Sequence, residues 1–119
     1  MEPLLNIAVN AARQAGDIII RHMEQVDRLQ ITAKNNHEYF SEVDIKAEQA
    51  IINTIHKAYP GHGILAEESG LIEGDGESIW IIDPLDGTSN YLHGFPFFSV
   101  SIALKIKGRI EHGIVYDPL

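Results

Sequence analysis

Two acidic clusters near the middle of the chain carry the residue types that chemistry needs. The first is Glu67-Glu68. The second is Asp83-Pro84-Leu85-Asp86-Gly87-Thr88. Here two aspartates three apart follow the apolar run Ile79-Trp80-Ile81-Ile82, which reads as an interior strand. Aspartates at a strand end can aim their carboxylates into a common cleft. Pro84 fixes one backbone angle and Gly87 permits a sharp turn. Hard divalent cations such as Mg²⁺ take oxygen ligands at roughly 2.0–2.1 Å in octahedral geometry. Asp83, Asp86 and a backbone carbonyl can supply one face of such a shell, and Thr88 adds a hydroxyl. The amides of Gly87 and Thr88 would face outward, toward phosphate oxygens, if a helix turn starts there. Glu67-Glu68 also follows an expected strand, and a divalent cation is one way to relieve repulsion between adjacent like charges. The plainer alternatives are that Asp83 and Asp86 serve a turn and a cap, and that the Glu pair is a solvated loop.

Asp44 and Lys34 are further candidates. At the start of a helix, Asp44 would ordinarily offset the helix dipole. It can also accept a hydrogen bond from a threonine hydroxyl, making that hydroxyl a better acceptor of a water's proton. Lys34 is by default a surface lysine, or else a cation near an anionic site. Other motifs fail on context. Gly61-His62-Gly63-Ile64-Leu65-Ala66 spells a dinucleotide fingerprint but follows a helix and leads into a strand, the reverse of the required order. The six histidines form no HExxH motif, and no P-loop is present. Tyr91, Phe95, Phe97 and Phe98 suit a hydrophobic core better than a base-stacking platform. Asp83 to Thr88 superficially resembles the nucleophile loop of haloacid-dehalogenase-like phosphatases. There the aspartates are two apart, and the mechanism would leave a trappable aspartyl phosphate.

The elements that must position these residues change character along the chain. Residues 3 to about 25 show an amphipathic helical stripe of Leu4, Ala8, Ala11, Ala15, Ile18 or Ile19, and His22 or Met23. Pro3 suits a first helical position. Leu29 to Ala33 alternates weakly, as a short strand would, and Lys34 to Glu38 reads as a polar turn. Ser41-Glu42-Val43-Asp44 resembles a capping box and sets a second helix start near Ser41. Its stripe is Val43, Ala47, Ala50 or Ile51, Thr54 and Ala58, and Pro60-Gly61 ends it. Gly63 to Ala66 reads as a short buried strand, and Leu71 to Ser78 as a mobile loop. Phe98, Val100, Ile102, Leu104 and Ile106 alternate with polar or small residues as in a half-buried strand. Lys107-Gly108-Arg109 turns that strand back into Ile110–Tyr116. The last strand edge would be open, a liability in a finished domain, so a fragment is expected.

Composition narrows the class. The 119 residues carry a formal charge of −8, with 45% hydrophobic and 22% charged residues, which fits one globular domain or part of one. Zero cysteines exclude disulfides and thiolate chemistry. No apolar run approaches the roughly 18 residues of a membrane span, and Met1-Glu2-Pro3 lacks the basic start of a signal peptide. A cytoplasmic protein without membrane attachment is expected. The acidic balance disfavours direct nucleic-acid binding.

Ala66-Glu67-Glu68-Ser69, then Trp80-Ile81-Ile82-Asp83-Pro84-Leu85-Asp86-Gly87-Thr88-Ser89-Asn90, closely resembles the inositol monophosphatase family. Ser41-x-x-Asp44 and the Phe95-Pro96-Phe97-Phe98-Ser99-Val100 run agree. Leu5–Val9 and Lys105–Arg109 look most like the bacterial SuhB type. The resemblance covers the whole chain. It implies an α+β fold in which two N-terminal helices pack on a mainly antiparallel sheet, in the layered sugar-phosphatase manner. Residues 1–119 would form the N-terminal half, with the C-terminal part absent. It further implies a Mg²⁺-dependent, lithium-sensitive phosphatase acting on inositol monophosphate or a related sugar phosphate. By position, Glu67, Asp83 and the Leu85 carbonyl would hold a first metal, and Asp83 and Asp86 a second. Thr88, supported by Asp44 and near Glu67, would orient and help deprotonate the attacking water. The Gly87 and Thr88 amides, beside Asp86, would hold phosphate, with Glu68 and Lys34 peripheral. The family's further Trp-Asp motif does not occur after Thr88, so alone the chain is expected to bind Mg²⁺ weakly and turn over little. The resemblance also implies a homodimer in the full-length form. The rival readings are a nucleotide 3′(2′),5′-bisphosphate phosphatase and a regulatory module that binds transcription-complex proteins.

Overall fold

The computed structural model describes residues 3–29, 33–86 and 99–117, with side chains over 3–22, 42–84 and 99–117. Its elements are the helices α1 (Pro3–Leu29) and α2 (Ala33–Ala58), then the strands β1 (Gly63–Ala66), β2 (Gly70–Ile72), β3 (Ser78–Asp86), β4 (Ser99–Ile106) and β5 (Arg109–Tyr116). The strands form one sheet in the order β2-β1-β3-β4-β5. The β1–β3 pair is parallel; β1–β2, β3–β4 and β4–β5 are antiparallel. Both helices lie on one face of this sheet, α2 over β3 and α1 over β4 and β5. The two-helix, mixed-sheet arrangement is the α+β class the sequence implies.

Small side chains let the helices approach each other. Ala8, Ala11, Ala12, Ala15 and Ile19 of α1 are buried, as are Val43, Ala47, Ile51, Ile52 and Ile55 of α2. The α1 stripe matches its expected spacing. In α2 the stripe ends on buried Ile55, and Ala58 is exposed. Thr54 Oγ1 ties the helices by donating to Gln14 Oε1 at 3.2 Å. The sheet contributes Ile64, Ala66, Trp80, Ile82, Val100, Ile102 and Leu104 to the same core. Trp80 is fully buried, and its ring nitrogen donates to His62 Nδ1 at 3.0 Å; His62 in turn stacks on Tyr59. A buried indole N–H needs such a partner.

Several expected boundaries are corrected. α1 runs on to Leu29, so Leu29 is not in a strand. α2 begins at Ala33, which makes the backbone of Lys34 to Glu38 helical rather than a turn. Ser41 is therefore well inside the helix and no cap, and Asp44 lies too far from the helix start to offset its dipole. Once a helix is nucleated, each added residue needs little further stabilisation, so a polar segment joined to a packed stripe can propagate. Gly63–Ala66 is buried on one side only, since Leu65 is exposed, and the same is true of Ile81 in β3. Leu71 and Ile72, expected in a loop, pair with β1 as β2, entered through Gly70 at φ +68°. Lys107 and Gly108 both have positive φ, 49° and 81°, between the paired Ile106 and Arg109. That is the tight two-residue hairpin whose twist suits flanking strands. Residues 87–98, with the four aromatic positions Tyr91 to Phe98, lie outside the described residues. No helix among the described residues is long and apolar enough to cross a membrane.

Candidate functional site

The parallel β1–β3 pair sets the site. Its register aligns Ala66, the last residue of β1, with Ile82 of β3, so Glu67 leaves the sheet beside Asp83, which stays in β3 paired with Ser101. Adjacent strands lie about 4.8 Å apart. Carboxylates on such neighbours feel each other strongly. α2 brings two more acids, Asp44 and Glu48, one helical turn apart and hence on one face.

The electrostatics report the convergence. Asp44 has its pKa raised from 3.8 to about 7, first by loss of hydration on burial and then by the charges of Glu67, Glu68, Asp83 and Glu48. Its Oδ1 is buried and accepts no hydrogen bond among the described residues. The Glu67 carboxyl is also held above its usual range, first by partial desolvation and then by Asp83, Glu68 and Glu48. Groups from α2, the turn after β1 and β3 thus share one negative field. A buried acceptor oxygen with no donor among the described residues, in a field of like charges, suits a hydroxyl donor or a nearby cation.

The spacing of Asp83 and Asp86 raises a second geometric question. In a regular strand, residues three apart fall on opposite faces. Asp83 pairs with Ser101 and Asp86 with Ser99, and the register shifts between them. One extra residue on β3 makes a bulge at Pro84-Leu85, where proline can donate no ladder hydrogen bond. Since Ser99 and Ser101 share a face of β4, the bulge carries positions 83 and 86 to the same face of β3.

Of the residues singled out from sequence, Asp44, Glu67, Glu68 and Asp83 lie within electrostatic reach of one another. Leu85 and Asp86 have described backbone but not side chains, as does Lys34; Gly87 and Thr88 lie outside the described residues. Among the described residues no group of three or more acids or histidines is close enough to hold a metal ion.

Glu48 is the residue that sequence reasoning misses. It is the one fully buried charged side chain among the described residues. Its Oε1 accepts from the Glu68 amide at 2.9 Å, and its Oε2 from the Ser69 amide at 3.2 Å and the Ser69 hydroxyl at 3.0 Å. The available signal is its spacing, four residues after Asp44 and beside the buried Ala47.

Comparisons with known proteins identify the family and the fold. A model of the inositol monophosphatase family matches residues 1–119. A relative named Nus factor SuhB, from Pseudomonas aeruginosa, is 52% identical over 122 residues, covering 100% of this chain and 45% of its own length. The extragenic suppressor protein suhB from Bartonella henselae superposes with a TM-score of 0.86 at 42% identity, over 98% of this chain and 44% of its own. Inositol monophosphatase II from Staphylococcus aureus gives 0.83 at 32% identity, over 99% and 44%. The chain spans about 45% of the length of the curated relatives it matches.

Proposed function

The chain belongs to the inositol monophosphatase family, and from that premise we propose that it carries the metal- and phosphate-binding part of a Mg²⁺-dependent phosphomonoesterase. The observation that supports this best is the meeting of Asp44, Glu67, Glu68 and Asp83 in one field strong enough to raise Asp44 to about 7. The substrate class is inositol monophosphate or a related sugar phosphate.

Glu67, Asp83, Asp86 and the Leu85 carbonyl would hold the cation. Bound there, Mg²⁺ supplies Lewis-acid activation of water and neutralises phosphate charge. The chain's own groups do the rest. Asp44 would offer an acceptor oxygen to the Thr88 hydroxyl, which would orient the attacking water and help take its proton. The Gly87 and Thr88 amides hold phosphate oxygens. Glu68 and Lys34 act at the edge of the site.

Phosphate release from inositol 1-phosphate by the full-length protein tests this reading. Mg²⁺-dependent release that Asp83→Asn abolishes supports it; release unaffected by that substitution, or by chelation, overturns it. A second reading has its own support, because relatives at about half identity are named Nus factor SuhB. In that reading the fold docks on transcription-machinery proteins. Docking should survive Asp83→Asn, whereas hydrolysis should not.

A further inference from the structure

We infer that Glu48 is a positioning residue, whose buried carboxylate staples the Glu67–Ser69 turn to α2 and so holds Glu67 beside Asp83. The inference rests on the metal-site reading above, and extends it to a residue that touches neither cation nor substrate.

The geometry leaves Glu48 little other role. A carboxylate withdrawn wholly from water is strongly disfavoured unless hydrogen bonds replace its hydration. Glu48 receives three, from two consecutive backbone amides and one hydroxyl of the same turn. Charge-assisted bonds of this kind are roughly twice as strong as neutral ones. Both oxygens are used, so the carboxylate fixes the turn in position and in rotation. The anchored amides belong to Glu68 and Ser69, directly after Glu67. β1 holds Glu67 from the other side, through Ala66 paired to Ile82. Glu67 is the single residue between those two restraints. Without the staple, the backbone after Ala66 is free to swing and Glu67 can move away from Asp83, toward water, where repulsion is weaker.

Three variants of the full-length protein test this: Glu48→Gln, Ser69→Ala and Asp83→Asn. The readouts are Mn²⁺ affinity, by electron paramagnetic resonance on the folded protein, and amide exchange at Glu68 and Ser69 by NMR. Glutamine keeps the shape but replaces one acceptor oxygen with a donor. Expected for Glu48→Gln are faster exchange at those two amides and Mn²⁺ binding weakened by about 10–100-fold, the usual range for groups that orient ligands. Ser69→Ala removes one bond, keeps the carboxylate, and should weaken binding by about fivefold. It keeps the test open if Glu48→Gln fails to fold. If Asp83→Asn weakens Mn²⁺ binding but neither other variant does, Glu48 has only a structural role and the inference falls alone. If the full-length wild type does not bind Mn²⁺, or Asp83→Asn leaves binding unchanged, the metal-site reading fails and takes the inference with it. Unaltered exchange at Glu68 and Ser69 in Glu48→Gln removes the staple itself.

Discussion

Replacing Asp44 with asparagine should stabilise the protein at alkaline pH while weakening its hold on divalent cations. Asp44 titrates near 3.8 when unfolded and at about 7 when folded. Below about pH 4 it is protonated in both states and penalises neither. Between about 4 and 7 the folded chain keeps a proton that the unfolded chain has released, so stability falls as pH rises. Above about 7 the penalty is complete. Taken at face value, a rise of this size is worth about 4 kcal/mol. Asp44 is only half-buried, however, and solvent screening reduces the figure to about 2 kcal/mol. The asparagine side chain carries no charge and should remove that part of the slope. Glu67, also raised, leaves a residual slope of the same sign. The assay is urea unfolding followed through Trp80, the sole tryptophan, which is fully buried. At about pH 8 without Mg²⁺ the variant should unfold at about 1 M higher urea, taking an m-value of about 2 kcal/mol/M. At about pH 4 the two midpoints should coincide. Saturating Mg²⁺ at about pH 8 should stabilise the wild type more than the variant. Equal pH slopes in the two proteins, or a variant less stable at alkaline pH, would refute the claim that Asp44 sits in a shared negative field.

Other substitutions probe the frame that holds the site. Trp80→Phe keeps an aromatic ring but leaves His62 Nδ1 without its donor; a loss of about 1–3 kcal/mol in thermal or urea unfolding is expected, and an unchanged midpoint would make that bond irrelevant. Leu104→Ala empties fully buried space beneath α1 and should destabilise by about 2–5 kcal/mol by the same assay. Gly108→Ala puts a side chain at φ 81° in the β4–β5 hairpin. About 1–2 kcal/mol should be lost, with Mn²⁺ affinity of the folded protein untouched, because the turn lies at the opposite end of β4 from Ser99 and Ser101.

Much of this frame is legible in the sequence because its signals are local and repeated. The alanine stripe of α1 recurs over several turns, and Val100, Ile102 and Leu104 alternate without a break. Lys107-Gly108 between two alternating runs is a hairpin by composition alone. The site's acids are legible as types at strand ends. Their mutual field is not, since it depends on the parallel β1–β3 register and on α2 crossing β3. The start of α2 misleads because Ser41-x-x-Asp44 imitates a cap, while the true start at Ala33 lies in polar sequence whose propensity is weak either way. β2 escapes notice because three residues are too few to show alternation. The Pro84-Leu85 bulge, which cancels the odd spacing of Asp83 and Asp86, needs the β4 partner to be seen. Glu48 stays hidden for a related reason. A buried glutamate looks like any helical glutamate until the turn it anchors, about twenty residues on, is in place.

The proposed sharing of a divalent cation by Glu67, Asp83 and Asp86, in the field of Asp44, is tested most directly by calorimetric titration of Mg²⁺ into the full-length protein near neutral pH. In buffers of different ionisation enthalpy, binding should release protons, because a cation drives off the proton that Asp44 partly retains in its absence, and Asp83→Asn should lose both the binding and the release. Absence of binding, or binding that releases no proton and survives Asp83→Asn, would contradict the account.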